Sequence, residues 1–147
     1  RFPTAVTDAG DALRGLAAAG GALGLDTRRL AVGGDSAGGT LAAVVAIHAR
    51  DAGAPALAFQ LLIYPATDQR GEFESIARNG QGYLLTRESM DFFRGCYLPR
   101  KEDWLDWRAS PLLAKNLSRL PPALVITSTS PASPERRRRY ERRAGRR

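Results

Sequence analysis

Histidine and cysteine each occur once in the 147 residues, as His48 and Cys96, and no long apolar run is present. A lone cysteine excludes an internal disulfide and fits a reducing compartment, so the expected location is cytoplasmic. No apolar stretch approaches the roughly 18 residues that a membrane-spanning helix needs. The opening Arg1-Phe2-Pro3-Thr4 lacks the charged-then-apolar profile of a secretory leader. Net positive charge is scarce outside the last residues. The formal net charge is +7, but residues 135–147 alone hold eight arginines against two glutamates. The body is near neutral, so an electrostatic case for nucleic acid rests on that tail alone. There is no internal repeat.

What is present is a hydrophobic pattern of mixed period. The apolar share is 44%, which fits a globular chain. Val6, Ala9, Leu13, Leu16 and Ala17 recur at helical spacing and predict an amphipathic helix over 4–19, ended by Gly20, Gly21 and Gly24. Leu30–Val32 predicts a short buried strand, and Ala37–Ala52 a second helix stopped by Gly53 and Pro55. Leu57–Tyr64 is a nearly unbroken apolar run, the pattern of a strand covered on both faces. Residues 66–115 carry polar loops, an aromatic-rich helix near Arg87–Tyr97, and Trp104 with Trp107. A last strand is predicted at Ala123–Thr127. Strands alternating with helices imply parallel pairing and an α/β fold. Residues 128–147 are Ser/Pro-rich and then Arg-rich, with no apolar stripe to dock them, and are expected to be disordered or a solvated helix.

The run Ala31-Val32-Gly33-Gly34-Asp35-Ser36-Ala37-Gly38-Gly39 joins the first strand to the second helix. Strand, glycine-flanked serine and helix together are the form of a nucleophile elbow, the tight turn that presents a catalytic serine. In this reading Ser36 is the nucleophile and Ala37 offers its backbone N–H to an oxyanion at a helix N-terminus. Gly34 and Gly38 would stand where side chains collide between strand and helix. A competing reading takes Gly33-x-x-x-x-Gly38-Gly39-Thr40 as a phosphate loop, but Gly39 stands where the phosphate-binding lysine belongs.

On these residues the chain resembles the hormone-sensitive-lipase-like bacterial carboxylesterases of the α/β-hydrolase superfamily. The matching blocks are Gly34-Asp35-Ser36-Ala37-Gly38-Gly39, Leu61-Leu62-Ile63-Tyr64-Pro65, Gly82-Tyr83-Leu84-Leu85-Thr86, Arg108-Ala109-Ser110-Pro111-Leu112 and Leu120–Thr127, over about residues 1–127. The resemblance implies a partial α/β-hydrolase fold, with a parallel sheet, crossover helices and a helical cap inserted at about 66–115. It implies a serine nucleophile, an acyl-enzyme, a small-molecule ester as substrate, and no metal or cofactor. Tyr83, Leu84, Met90, Phe92 and Phe93 would line or support the cap.

Three departures from the family pattern matter. An HGGG-type oxyanion loop should precede the elbow, and none is encoded. The acid should follow Leu120–Thr127 within a few residues, yet Ser128–Pro134 holds no carboxylate. A histidine should come last in order, but the single one is His48. Twelve residues along a helix from Ser36, at 1.5 Å each, His48 lies about 18 Å away, too far for proton transfer. The expectation is a carboxylic ester hydrolase whose acid and base are absent from this chain, leaving it incomplete and inactive alone. With only three strands, the first is expected to show an unpaired edge. The tail leaves two further readings open. One takes residues 135–147 as an out-of-frame reading of an Ala-rich helix, and the other as a basic arm for nucleic acid or an acidic surface.

Overall fold

The structure, a computed structural model, describes residues 1–71 and 86–127. The first element is helix α1, Thr4–Ala19, followed by a 3₁₀ turn at Gly20–Leu23. Strand β1 is Leu30–Asp35, helix α2 is Ala37–Ala52, and strand β2 is Leu57–Ile63. Helix α3, Arg87–Tyr97, and two 3₁₀ turns at Lys101–Leu105 and Pro111–Leu113 lead to strand β3, Ala123–Ile126. The elements follow the order that the hydrophobic pattern predicts, and β1 runs three residues further than expected, to Asp35.

The three strands form one parallel sheet in the order β1-β2-β3. Val32 pairs with Gln60, Gly34 with Leu62, and Leu62 with Val125. An irregularity between Leu30 and Ala31 skips Ala58 on β2 and keeps the later pairs in step. Among the described strands, β1 is bonded only to β2, so its outer edge is open as the strand count predicts.

Helices α1 and α2 pack on the same side of this sheet. One cluster joins Leu13 of α1 to Leu30 of β1 and Val45 and Ala49 of α2, with Val32 and Leu57 against it. A second joins Ala43 and Ile47 of α2 to Leu62, Val125, Leu112, Ala114 and Leu117. Seven apolar residues of α2, Ala42 through Ile47 and Ala49, are buried. Four of them are alanines, which lets the sheet, α1 and the Leu112–Leu117 stretch approach the helix axis from different sides. Gly53, at φ +72°, ends α2 in the left-handed conformation that glycine adopts without strain. Arg50 in the last turn donates to the Asn116 and Ser118 carbonyls at 3.0 and 2.8 Å, fixing the loop ahead of β3 to the helix end.

The expectation that β2 is covered on both faces is corrected. Gln60 and Leu62 point under α2 and are fully buried, whereas Phe59, on the other face, is 38% exposed. Leu124 and Ile126 on the same side of β3 are 50% and 43% exposed. Among the described residues the helices cover one face only, and an apolar run reports what a strand can bury, not what lies over it. The side chain of Gln60 is accommodated on the packed face by donating to the Pro121 carbonyl at 2.9 Å.

The two ends of the 66–115 stretch are tied to each other. Leu112 donates to the Thr67 carbonyl at 3.0 Å, and the Gln69 N–H donates to the Ser110 hydroxyl at 2.9 Å. Between them α3 starts on Thr86, whose hydroxyl accepts from the Ser89 N–H. No residue of α3 is buried, and Phe92 and Phe93 stand 65% and 59% exposed, packed edge to face on one another. Tyr83, Leu84 and the tail lie outside the described residues.

Candidate functional site

Ser36 sits between the C-terminal end of β1 and the first turn of α2, at φ +50° and ψ −117°. A non-glycine residue rarely adopts such angles, and strain of this kind concentrates where a side chain must be aimed. Two bonds hold the turn. The Ser36 N–H donates to the Ile63 carbonyl at 2.9 Å, and the Ser36 carbonyl accepts from the Thr40 N–H at 3.1 Å. The serine hydroxyl makes no capping bond to α2, although serine is among the residues most often used for capping. It is exposed, as are Asp35 and Ala37 on either side. The Ala37 N–H belongs to the first turn of α2, where backbone donors have no intrahelical acceptor and the helix dipole favours negative charge.

The glycines explain why the turn closes. A β-carbon on Gly34 would lie 2.4 Å from the Gly38 carbonyl carbon and 2.5 Å from its oxygen. One on Gly39 would meet the Gly34 carbonyl at 3.0 Å and the Ile63 carbonyl at 3.2 Å. One on Gly38 would meet nothing within 4 Å. The expectation that Gly34 and Gly38 are the two crowded positions is therefore half corrected. Gly38 lends its backbone as the surface that Gly34 touches, and the place of its own β-carbon is open. The second crowded position is Gly39.

A neighbour that sequence reasoning did not assign a role completes the rim. Tyr64, just after β2, is held at φ +35°, with its N–H on the Ile126 carbonyl at 2.6 Å. Its hydroxyl donates to Asp35 Oδ2 at 3.3 Å, next to Ser36. The Asp35 charge raises the Tyr64 phenol above its ordinary value. Thr40 ties the other side, accepting from the Ala66 N–H at 3.1 Å and lying within donating reach of the Ala66 carbonyl at 3.0 Å. The sequence signal for this rim was the Tyr64-Pro65 pair at the end of an apolar strand.

His48 is not part of the site. It stands on the far part of α2 with its ring 4.8 Å from that of Trp107. Partial burial, and then the nearby Arg108 guanidinium, lower its proton affinity. Among the described residues no group of three or more His, Cys, Asp or Glu side chains could hold a metal ion. No helix among them is long and apolar enough to cross a membrane.

Known proteins share this fold. The profile of the family described as alpha/beta hydrolase fold matches residues 1–146, beyond the 1–127 of the sequence blocks. The ethyl acetate hydrolase of Pseudomonas putida is 45% identical over 129 residues, covering 86% of this chain and 40% of that protein. Carboxylesterase NlhH of Mycobacterium tuberculosis is 39% identical over 131 residues, 86% of this chain and 41% of its own. A thermostable esterase from Pseudomonas putida superposes with a TM-score of 0.92 at 40% identity, over 98% of this chain and 46% of that one. A hyperthermophilic esterase from Pyrobaculum calidifontis gives 0.89 at 43% identity, over 95% and 45%. The chain thus spans less than half the length of the relatives it matches. With its elbow, its parallel sheet and these relatives, the chain belongs to the alpha/beta hydrolase fold family, in the hormone-sensitive-lipase-like branch of carboxylesterases.

Proposed function

We propose that this chain carries the nucleophilic part of a carboxylic ester hydrolase, with Ser36 as the attacking group. The observation that supports this best is the strained Ser36 backbone at φ +50°, holding an exposed hydroxyl free of any helix-capping bond. In the reaction Ser36 Oγ bonds to the ester carbonyl carbon while the carbonyl oxygen becomes an oxyanion facing the Ala37 N–H. Collapse breaks the bond to the alkoxy oxygen, which leaves as the alcohol with the serine's proton. Water then cleaves the acyl-enzyme, freeing the acid and restoring Ser36. The substrate is a small-molecule ester, consistent with relatives named for ethyl acetate and carboxylic esters.

Both proton transfers need a base within about 3 Å of Ser36 Oγ. The single histidine, about 18 Å along α2, does not serve. The 147 residues alone therefore leave the hydroxyl a weak nucleophile, and an ester hydrolase results only when a base from outside this stretch is brought beside it.

Two measurements test the proposal. The purified chain should show no turnover of a short-chain p-nitrophenyl ester above the buffer rate, and no rapid labelling by a fluorophosphonate. The chain should also be exchanged for the matching stretch of the Pseudomonas putida ethyl acetate hydrolase. That chimera should hydrolyse the ester and lose at least about a thousandfold in rate on Ser36→Ala, in the range set by nucleophile removal elsewhere. A chimera that keeps its rate after Ser36→Ala would refute the assignment of the nucleophile.

A further inference from the structure

Three non-glycine residues among those described have positive φ: Ser36 at +50°, Tyr64 at +35°, and Arg119 at +56° in the loop ahead of β3. Ser36 and Tyr64 stand opposite one another, each one residue beyond the last β1–β2 pair, Asp35 with Ile63. Strain of this kind persists where a side chain has to be aimed. At Tyr64 the aim follows from the alternation of β2. A regular continuation of the strand would send its ring toward α2, with Gln60 and Leu62. The positive φ breaks that alternation. It turns the ring to the face that Asp35 shares with Ile63, where the hydroxyl donates to Asp35 Oδ2 at 3.3 Å.

That bond closes a ring with the backbone. The Ser36 N–H donates to the Ile63 carbonyl at 2.9 Å, and the next residue is Tyr64, whose own N–H is fixed on the Ile126 carbonyl at 2.6 Å. Residues 35–36 and 63–64 are thus joined at two points, and two points resist a twist that a single bond allows. Thr40 ties the elbow on the α2 side through Ala66, and Asp35 with Tyr64 tie it on the opposite face. Asp35 has no other side-chain partner among the described residues. Its charge keeps the phenol protonated, so Tyr64 is the donor of the pair.

Resting on the reading of Ser36 as the nucleophile, we infer that Tyr64 is a positioning residue for ester hydrolysis. Its hydroxyl, bonded to Asp35, fixes the Asp35–Ser36 peptide in the geometry that aims Ser36 Oγ. It acts through Asp35 and not on the substrate. Tyr64→Phe keeps the ring and loses the bond, Asp35→Ala removes the acceptor, and Asp35→Asn keeps an acceptor oxygen without the charge.

Two measurements test this, and the first needs no turnover. In the 147-residue chain, hydrogen exchange at the Ser36 amide should quicken at least about tenfold in Tyr64→Phe and in Asp35→Ala, while the Ile47 amide in the middle of α2 keeps its rate. In the chimera with the Pseudomonas putida ethyl acetate hydrolase, both variants should lower kcat about tenfold at unchanged KM, short of the roughly hundredfold that a 1 Å misplacement can cost. The double variant should lose no more than either single one, since the same bond is removed in all three. Asp35→Asn should recover most of the rate. Arg50→Ala is the structural control, at the far end of α2. It should leave kcat unchanged at a temperature where every variant is folded. An unaltered Ser36 amide, an unaltered kcat, additive losses, or an equal loss of kcat in Arg50→Ala would each overturn the inference. Failure of the esterase reading looks different. A chimera that is inactive, or that keeps its rate after Ser36→Ala, counts against that reading, and the exchange rates then decide by themselves whether Tyr64 holds the elbow.

Discussion

Gly34→Ala and Gly38→Ala should shift stability in opposite directions, though both glycines belong to the same short motif. At Gly34 the new methyl carbon would lie 2.4 Å from a backbone carbon, about 1 Å inside ordinary contact, and the obstacle is backbone on α2 rather than a flexible side chain. Relief requires β1 and the first turn of α2 to separate, which stretches the Ser36–Ile63 bond and disturbs the close seat of Gly39. Overpacking of a tight site costs about 1–3 kcal/mol, and a backbone obstacle puts this substitution at about 3 kcal/mol or above. At Gly38 the added carbon meets nothing within 4 Å, and the position is in a helix. There alanine is favoured over glycine by roughly 0.5–1 kcal/mol. For a chain of this size, about 3 kcal/mol lowers the melting midpoint by roughly 10 °C. Thermal unfolding by circular dichroism, checked with urea midpoints, measures both. Equal losses at the two positions would refute the packing account of the elbow, as would a Gly34→Ala midpoint within 2 °C or so of the parent.

Three further outcomes are expected. The His48 imidazole is held below its ordinary value of 6.5 by burial first and by Arg108 and Arg14, against the opposing pull of Asp51 and Asp106. The unfolded chain therefore binds more protons near pH 6, so stability is complete above pH 6.5 and declines as pH falls below it. His48→Gln should flatten that slope in urea midpoints taken from pH 7.5 to 5. Ultraviolet titration should find the Tyr64 phenol ionising at higher pH than a free tyrosine, and Asp35→Asn should move it back toward 10. An unmoved titration would show that the Asp35–Tyr64 bond is not formed in solution. Arg50→Ala removes two charged hydrogen bonds to loop carbonyls and should destabilise the chain by roughly 2 kcal/mol. Arg50→Lys should recover only part of that, since an ammonium placed on those two carbonyls gives up the Nε and Nη2 contacts that the guanidinium makes with Asp51.

The difference between α1 and β2 shows how far a linear reading reaches. The helical spacing of Val6, Ala9 and Leu13 gives the limits of α1, because a helix is closed by bonds four residues apart and its apolar stripe is a local property. The apolar run of β2 gives the strand equally well but not its surroundings. Whether Phe59 is covered depends on elements distant in the chain. The same holds at the elbow. Strand, serine and helix follow from nine consecutive residues, whereas two of the three contacts that confine Gly39, to Ile63 and Pro65, come from more than twenty positions away. Tyr64 received no role in the sequence reading because its bond to Asp35 exists only once β1 and β2 lie side by side.

The order of residues alone determined the alternation of helices and strands, the α/β class, the turn that carries Ser36 and the distance that removes His48 from it. Each rests on interactions within one element or across one turn, where spacing and side-chain shape decide. Tertiary structure decided that α1 and α2 lie on one side of the sheet, that Gly39 rather than Gly38 is confined, and that Asp35 meets Tyr64. Those outcomes depend on which distant surfaces meet, and hydrophobicity, being without direction, does not encode that choice in any single segment.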